Sequence, residues 1–299
     1  MMEPPVPPDA SDCCNSGCTP CILDVYEAQL KKYEQYCKNN NNLQGCELEI
    51  VNSISPTSYT SFKLIEHEQL SPTVYLLKFT YDDSLERVPN CFRYAPGQYL
   101  LLRAKDSIGE FTRAYTPIPV TSESDLGFTI IVRCYNDGRM SKLLQKLQIG
   151  QKTSWRGPYG DFILNYKYKH LFFIAQGTGI APLFAIINEI VHNEDRENFI
   201  KLFFCCRDCG DILLRDHLYK LSSYWNFSYE VFLSSAANIN QKYNEVIHGT
   251  KLTTPYLRNY VNGKTGELQA IICGSDNFSE YIKSQLENLG IESNNIHLF

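Results

Sequence analysis

The chain has 299 residues, of which 43% are hydrophobic and 20% are charged, so it is long enough for two domains with separate cores. Its net charge of −5 argues against a general nucleic-acid-binding protein, because such proteins need a basic face. No apolar run approaches the roughly 20 residues of a membrane span, and the N-terminus lacks the apolar region of a secretory signal. We therefore expect a soluble, cytoplasmic, monomeric protein whose 12 cysteines are mostly reduced.

Residues 1–50 are expected to form a short cysteine-rich helical segment ahead of the two domains. Four prolines within the first eight residues favour an extended leader. Residues 23–37 carry apolar side chains at helical spacing, which predicts a helix. Residues 39–42 are all asparagine and indicate a linker.

Residues 57–162 show the pattern of an antiparallel β-barrel domain. β-branched and aromatic runs predict strands over residues 62–65, 74–79, 99–102 and 128–133. Turn residues separate them at 96–97, 106–109 and 122–127, and one helix is predicted over 141–147. Short strands separated by turns favour a barrel over a parallel sheet.

From residue 165 to residue 299 the pattern alternates between strand and helix. Continuous apolar runs predict strands over 171–175, 201–205, 229–233 and 268–273, with a last apolar run at 296–299. Helices are predicted over 182–191, 214–221 and 278–289. Buried strands alternating with helices indicate a Rossmann-like parallel α/β domain.

Two segments of the α/β domain lie beyond the carboxyl ends of strands, where ligands bind in such sheets. Gly177 and Gly179 follow the first strand and let the backbone approach a ligand, while the next helix offers free N–H groups to phosphate. The same turn is also compatible with a plain strand-to-helix connection. Cys273 and Gly274 end the fourth strand, and the thiol is either functional or a small buried apolar group.

Two segments of the barrel domain combine groups that hold phosphate and flat rings. Arg113, Tyr115 and Thr116 supply a cation, an aromatic ring and a hydroxyl within four residues. Residues 138–141 precede the predicted helix, with Ser141 as its expected N-cap and free N–H groups as a second phosphate site. Each segment alone is compatible with a structural role. Together with the glycine turn at 176–182, they indicate two large phosphorylated cofactors.

These segments, in this order, resemble the ferredoxin-reductase superfamily and, within it, the NADH-cytochrome b5 reductase family. The matching pieces are RAYTP (113–117), IVRCY (131–135), GRMSKLLQKLQIG (138–150), RGPYGDF (156–162), AQGTGIAP (175–182), DILLRDHL (211–218), ICG (272–274) and the terminal Phe299. The resemblance covers residues 57–299, and the conserved order of several motifs makes it specific.

The resemblance implies FAD on the barrel domain, NADH or NADPH on the α/β domain, and hydride transfer to the flavin without acid–base chemistry by a side chain. It implies that Thr116 and Cys273 lie at the reacting rings. The implied FAD contacts are Arg113, Tyr115, Thr116, Ile131, Arg133, Tyr135, Gly138, Arg139, Met140 and Ser141. The implied contacts to the dinucleotide, or to both cofactors, are Gly177, Thr178, Gly179, Pro182, Cys273 and Gly274.

One departure from the family concerns the electron donor. The third strand of the α/β domain ends in Ser234 and Ser235, where NADH-using members carry an acidic residue. Lys242 and Tyr243 are reminiscent of the NADPH-using branch. Because no arginine flanks the serines in the sequence, we still expect NADH to be preferred, with weak discrimination against NADPH.

The acceptor implied by the resemblance is a one-electron carrier, a cytochrome b5-type haem protein that family members dock through lysines. In this acidic chain Arg139, Lys142 and Lys146 are the candidates for such a patch. A quinone or an oxygenase component is an alternative acceptor. A flavin-free scaffold is an alternative role, which the intact Arg113 and Tyr115 oppose.

The N-terminal run CCNSGCTPCILDVYEAQL (13–30) resembles the oxidoreductase-like N-terminal domain. Cys13, Cys14, Cys18 and Cys21 can bind zinc or an iron–sulfur cluster through four thiolates. Adjacent cysteines rarely ligate one tetrahedral ion without strain, so Cys37 or Cys46 is an expected substitute. The alternative is a docking motif without metal.

Overall fold

The computed structural model describes residues 5–8, 22–39, 51–84, 89–120, 126–235 and 239–299. The chain divides into two compact units, Met1–Phe162 and Ile163–Phe299. The first unit is built on antiparallel strands and the second on parallel strands. The predicted two-domain fold class is therefore confirmed.

The first unit contains a seven-stranded sheet in which all neighbouring strands are antiparallel. Its strands are β1 (Thr60–Ser71), β2 (Val74–Tyr81), β3 (Tyr99–Lys105), β4 (Glu110–Tyr115), β5 (Pro117–Ile118), β6 (Gly127–Arg133) and β7 (Lys152–Tyr159). The strand order is β4-β3-β7-β1-β2-β6-β5. The two outermost strands, β4 and β5, are joined through Thr116 alone, so the sheet closes into a barrel.

The barrel encloses an aromatic core. Trp155 is fully buried, and its ring lies 4.8 Å from Phe128 and 5.1 Å from Phe79. Phe62 meets Phe128 nearly edge-on at 5.1 Å. Edge-to-face aromatic pairs add about 0.5–1.5 kcal/mol each beyond the burial of their area. This core fixes β4 and β6, whose ends carry the candidate site.

An N-terminal helix, α1 (Ile22–Asn39), packs on the outside of the barrel. Its Ile22 and Val25 are buried together with Leu101 and Tyr159 of the sheet. The helix therefore belongs to the first unit.

A second helix, α2 (Arg139–Lys146), covers one end of the barrel. It places Met140 and Leu144 in the barrel core. A helix was predicted here, but it begins two residues before the predicted start because Gly138 already adopts the extended N-cap conformation.

The second unit contains a six-stranded parallel sheet. Its strands are β8 (His170–Gln176), β9 (Phe199–Cys206), β10 (Phe227–Leu233), β11 (Val246–His248), β12 (Leu268–Cys273) and β13 (Ile296–Leu298). Its helices are α3 (Ile180–His192), α4 (Arg215–Leu221), α5 (Thr254–Val261) and α6 (Asp276–Asn288). The strand order is β11-β10-β9-β8-β12-β13. Strands that follow β8 in the chain are therefore added first on one side of β8 and then, from β12 onward, on its other side. The point between β8 and β12 is the topological switch point, where ligands bind in such sheets.

Five elements in the described part of the chain were not predicted: β4, β7, β11, α5 and β5, which has only two residues. The first two contain charged or glycine and proline residues that interrupt the strand pattern, and β11 has only three residues at the sheet edge. The signal for α5 was present, since a proline among the first helical residues after Thr253 is typical of a helix start.

Candidate functional site

The end of β4 carries Arg113, Tyr115 and Thr116. Arg113 lies opposite Leu102 in the sheet but is exposed, because β4 is the last strand in the order. Its Nη1 donates to the main-chain carbonyl of Thr112 at 2.9 Å. No carboxylate in the described part of the chain forms an ion pair with Arg113, so its charge is available to an anion.

The Tyr115 ring is half-buried at the edge of the aromatic core, 6.0 Å from Trp155. Burial raises the pKa of its hydroxyl well above the usual value, an effect that Cys134 reinforces and Arg113 opposes. The phenol is therefore protonated at neutral pH and can donate a hydrogen bond. Thr116 follows it directly and is half-buried.

The last residues of β6 and its exit loop provide a second wall of the site. Ile131 is buried, with 5% exposure, whereas Tyr135 is 64% exposed. The Nε of Arg133 is buried and has no hydrogen-bond partner among the described residues. A buried donor without an acceptor costs about 1–3 kcal/mol. A bound group with an acceptor atom would remove that cost.

The first turn of α2 supplies main-chain donors. The first hydrogen bond inside the helix runs from the N–H of Lys142 to the carbonyl of Gly138 at 3.0 Å, so the N–H groups before Lys142 have no acceptor within the helix. No side chain caps this end. The prediction that Ser141 is the N-cap is therefore wrong: Gly138 holds that position, and the Ser141 Oγ accepts from the N–H of Tyr135 at 2.9 Å.

The Arg139 side chain is held by a contact within the barrel rather than left open for a ligand. It donates to both oxygens of Asp106, at 2.6 and 2.5 Å, and to the carbonyl of Gly109 at 3.0 Å. Its guanidinium also lies 4.0 Å from the centre of the Phe111 ring. This pairing lowers the pKa of Asp106 to about 2.

These features of the first unit fit FAD. The uncapped turn of α2 and the free charge of Arg113 suit phosphate oxygens. The orphaned Nε of Arg133 and the protonated Tyr115 suit the polar edge of a flat ring. Gly138 adds a steric requirement, because a Cβ there would lie 2.6 Å from the Ser141 Oγ.

In the second unit, the candidate dinucleotide site lies where β8 is followed by α3. Gly177 has a φ of +54°, which favours glycine. A Cβ on Gly179 would lie 2.4 Å from the carbonyl oxygen of Cys273, so only glycine permits this approach. Thr178 lies between the two glycines, and Pro182 is buried in the first turn of α3. The structure therefore brings the predicted glycine turn and the end of β12 into contact at the switch point.

Cys273 and Gly274 are fixed by their neighbours on β8. Cys273 pairs with Ala175 across the sheet. The Gln176 side-chain oxygen accepts from both the N–H and the hydroxyl of Ser275, at 3.2 and 2.8 Å. Burial raises the pKa of the Cys273 thiol to about 12, so this group is neutral and protonated at physiological pH.

The third strand of this sheet, β10, ends at the two serines expected near the adenosine ribose. Ser234 and Ser235 donate their N–H groups to the carbonyls of Cys206 and Arg207, at 3.0 and 2.8 Å. An arginine therefore does flank the serines in space, although none does in the sequence. Sequence reasoning missed Arg207, and the only signal for it was its position one residue beyond β9.

The Lys242 side chain is engaged elsewhere in the second unit. Its ammonium group pairs with Asp216 and lies 4.8 Å from the centre of the Tyr219 ring. Its N–H donates to Glu245 at 3.0 Å. Tyr243, by contrast, is 82% exposed.

The four N-terminal cysteines proposed as metal ligands, Cys13, Cys14, Cys18 and Cys21, lie outside the described residues. Within the described ranges there is no group of three or more histidine, cysteine or acidic side chains arranged to hold a metal ion. The helices that the structure describes include none that is long and apolar enough to cross a membrane.

Three family models match the chain. The oxidoreductase FAD-binding domain matches residues 61–164, and the oxidoreductase NAD-binding domain matches residues 173–284. The N-terminal part of the oxidoreductase-like protein family matches residues 1–42.

Solved structures share the fold. The cytochrome b5 reductase domain of Ulva prolifera nitrate reductase aligns with a TM-score of 0.67 and 20% identity, covering 82% of this chain and 99% of that chain. A ferredoxin NADP+ reductase from Neisseria gonorrhoeae, solved with FAD and NADP, aligns with a TM-score of 0.65 and 20% identity, covering 81% and 98%.

Curated relatives give the family. An NADH-cytochrome b5 reductase-like protein of Homo sapiens is 31% identical over an alignment of 307 positions, which covers 100% of this chain and 95% of the relative. The corresponding protein of Mus musculus is 31% identical over 99% of this chain and 95% of its own length. The chain is an NAD(P)H-dependent flavoprotein oxidoreductase with FAD and a nicotinamide dinucleotide as its cofactors, and it belongs to the NADH-cytochrome b5 reductase-like family.

Proposed function

We propose that the protein takes a hydride from NADH onto FAD and passes the electrons singly to a cytochrome b5-type haem protein in the cytoplasm. The observation that carries this proposal is the contact between Gly179 and the Cys273 carbonyl, which has no room for a side chain at the switch point of the parallel sheet. Because glycine lets this turn pack directly against the end of β12, both segments meet at the carboxyl edge of the sheet, where a dinucleotide binds in such folds. Bound FAD would supply the chemistry that links a two-electron donor to a one-electron acceptor.

On the FAD side, the proposal assigns residues 57–162 as the flavin-binding domain. Arg113 and the main chain of residues 138–141 hold the pyrophosphate, because they offer a free cation and uncapped N–H groups. Tyr115, Thr116 and Ile131 lie along the flavin ring, and the Arg133 Nε donates to its polar edge. Arg139 acts indirectly, by tying the first turn of α2 to the β3–β4 hairpin.

On the dinucleotide side, the proposal assigns residues 165–299. Residues 177–179 and the first turn of α3 receive the pyrophosphate and the nicotinamide, with Pro182 fixing that turn. Cys273 and Gly274 form the floor beneath the ring. Since the Cys273 thiol is neutral, its role is to exclude water and to position the ring, not to transfer a proton.

NADH is the proposed donor, with modest discrimination against NADPH. No carboxylate stands at Ser234 or Ser235 to repel a 2′-phosphate. The ammonium group of Lys242 is already matched by Asp216, which leaves it less available to that phosphate. Arg207 is exposed beside the serines, and its positive charge would attract the 2′-phosphate, which further reduces the discrimination against NADPH.

The proposed acceptor rests on the relatives, whose names give NADH and cytochrome b5 as the two substrates. Quinones and oxygenase components are the competing acceptors. The test is stopped-flow mixing of NADH-reduced, FAD-loaded enzyme with oxidised cytochrome b5, in parallel with a soluble quinone and a ferredoxin. The proposal expects haem reduction at a rate that saturates with cytochrome concentration. It is contradicted if the quinone or the ferredoxin is reduced with a kcat/KM more than tenfold higher than that for cytochrome b5.

A further inference from the structure

A groove of about 880 Å³ lies in the first unit between α2 and strands β3 and β7. Its floor is apolar and is formed by Leu102, Phe111, Leu143 and Leu147. The groove runs along α2 from Arg139, the first residue of the helix, to Leu147 just beyond its end. Apart from Arg139, the lining side chains make none of the contacts that we propose for FAD, and Lys142 and Lys146 are also the candidates for an acceptor-docking patch.

The walls of the groove are strongly basic. Six cationic side chains line it, whereas Asp106 is the one carboxylate in the lining; the cations are Arg103, Lys105, Arg139, Lys142, Lys146 and Lys152. This concentration occurs in a chain whose net charge is −5. A basic surface on an acidic protein orients the molecule toward an anionic partner.

Four of these cations already have a partner within the barrel; Lys105, for example, lies 3.9 Å from a carboxylate oxygen of Glu110. Arg139 pairs with Asp106, and Lys152 lies 2.7 Å from a carboxylate oxygen of Asp82. Arg103 stacks on Tyr59, with its guanidinium 4.0 Å from the ring centre.

Lys142 and Lys146 are different, because among the described residues neither forms an ion pair with an acidic side chain or lies over an aromatic ring. They are exposed and lie one helical turn apart on α2, where like charges repel each other. An anion in the groove would relieve this repulsion. The unmatched charge of the groove is therefore concentrated on α2.

Two exposed isoleucines stand at loop tips beside this charge. Ile108, at the tip of the β3–β4 hairpin, lines the groove and is 79% exposed. Ile149 is 69% exposed in the turn between Leu147 and Gln151, both of which line the groove. That turn is tight, because the Gln151 N–H donates to the carbonyl of Gln148 at 3.0 Å. Large apolar side chains presented on tight turns beside free lysines are typical of a surface that meets a lipid interface.

We propose that this face of the barrel docks on an anionic phospholipid bilayer. Ile108 and Ile149 insert at the headgroup boundary, and Lys142 and Lys146 contact lipid phosphates. An acidic protein would be attracted by the same lysines, but isoleucines standing singly on two separate turns suit insertion between headgroups better than a packed protein interface, which needs one contiguous apolar patch. The docking is peripheral and electrostatic, so it weakens as the salt concentration rises.

The test is co-sedimentation of the full-length, FAD-loaded protein with phosphatidylcholine vesicles that contain or lack phosphatidylserine, at low and high salt. We expect binding to the anionic vesicles at low salt and release at high salt. The double variant Lys142→Glu/Lys146→Glu should lower the partition coefficient at least tenfold, since each lysine near an anionic surface contributes about fivefold. The variant Lys167→Glu/Lys169→Glu, which changes two exposed lysines of the second unit, is the matched control and should bind as the wild type does.

A second pair of variants tests whether the isoleucines insert into the bilayer, separately from the charge of the lysines. Ile108→Ser/Ile149→Ser should weaken binding to anionic vesicles, whereas Ile163→Ser, at an 85% exposed isoleucine outside the first unit, should not. The proposal is overturned if the wild type stays in the supernatant with anionic vesicles, or if the groove variants bind as well as their controls. Absence of vesicle binding, combined with slower reduction of an acidic haem protein by the lysine variant, would assign the groove to a protein partner instead. The vesicle-binding results do not depend on which acceptor the enzyme uses.

Discussion

Ser234 and Arg207 together set the expected choice of dinucleotide. The Ser234 side chain carries no charge, and the main chain of Arg207 bonds the neighbouring Ser235 at 2.8 Å. A carboxylate at position 234 would accept hydrogen bonds from the ribose hydroxyls of NADH and repel the 2′-phosphate of NADPH. An exposed guanidinium at position 207 has the opposite effect.

Ser234→Asp is expected to raise the ratio of kcat/KM for NADH to that for NADPH on the order of tenfold, through repulsion of about 1.4 kcal/mol. Arg207→Ala should raise the same ratio by lowering kcat/KM for NADPH while leaving that for NADH nearly unchanged. Lys201→Ala, which removes a lysine paired with Glu230 inside the sheet, serves as a control for loss of positive charge. Steady-state kinetics with both dinucleotides measure the ratio. A wild-type enzyme that strongly favours NADPH would contradict the account and would assign Arg207 to the phosphate.

For single residues, the sequence predicted which residues belong to the site better than it predicted which residues they contact. Gly179 and Cys273 were both singled out by their places at strand ends, and the structure brings them together because parallel strands β8 and β12 are neighbours. The contacts of Arg207 and Arg139 were not predicted, for the opposite reason. Their partners, Ser235 and Asp106, lie 28 and 33 positions away in the chain, and no local pattern records such a contact.

The tether between Asp106 and Arg139 joins two elements, the β3–β4 hairpin and helix α2. It is bidentate, and its guanidinium also stacks on Phe111, which lies in the same hairpin. The tether holds the first turn of α2 in place, and we assign that turn to the FAD pyrophosphate. Loss of the tether is therefore expected to affect FAD retention as well as stability.

The pH dependence of this tether follows from the lowered pKa of Asp106, about 2, against about 3.9 for an unfolded aspartate. Its stabilising effect is complete above pH 4 to 5 and is lost as the pH falls through about 2. Asp106→Asn should lower the urea midpoint at pH 7 and release FAD more readily, and its difference from the wild type should shrink as the pH approaches 2. Flavin fluorescence and urea titrations across this range measure both effects.

Glu110→Gln, in the same hairpin with a long 3.9 Å contact to Lys105, is the control and should change little. An equal loss in the control would show that the hairpin is simply sensitive to charge removal.

Whole elements were predicted where their pattern was strong and missed where tertiary contacts create them. The buried strand β8 and the helix α3 stand close to their predicted positions, because a continuous apolar run leaves few alternatives. β11 is a strand only because β10 offers it a parallel edge. The start of α2 was displaced for a local reason, since glycine at 138 could adopt the N-cap conformation and freed Ser141 to bond the loop before it.

In the molecule as a whole, two units with different sheet types carry the two sets of groups that we propose to hold the cofactors. The closed antiparallel barrel offers a half-buried aromatic ring, an orphaned arginine donor and an uncapped helix turn. The parallel sheet offers a glycine turn at its switch point. This division was predictable from the change of periodicity near residue 165. The basic groove on the barrel was not, because its lysines and isoleucines come from separate elements.

Anaerobic titration of the purified yellow protein with NADH tests the claim that NADH reduces FAD bound to this chain. We expect the flavin absorbance to bleach with about one equivalent of NADH, because each hydride carries two electrons. Cys273→Ala should keep its FAD but be reduced at least tenfold more slowly, since the nicotinamide loses the floor that positions it. Cys91→Ala, at a half-buried cysteine of the first unit, should be reduced at the wild-type rate. A protein that purifies without flavin, or whose flavin stays oxidised under excess NADH and NADPH, would contradict the claim.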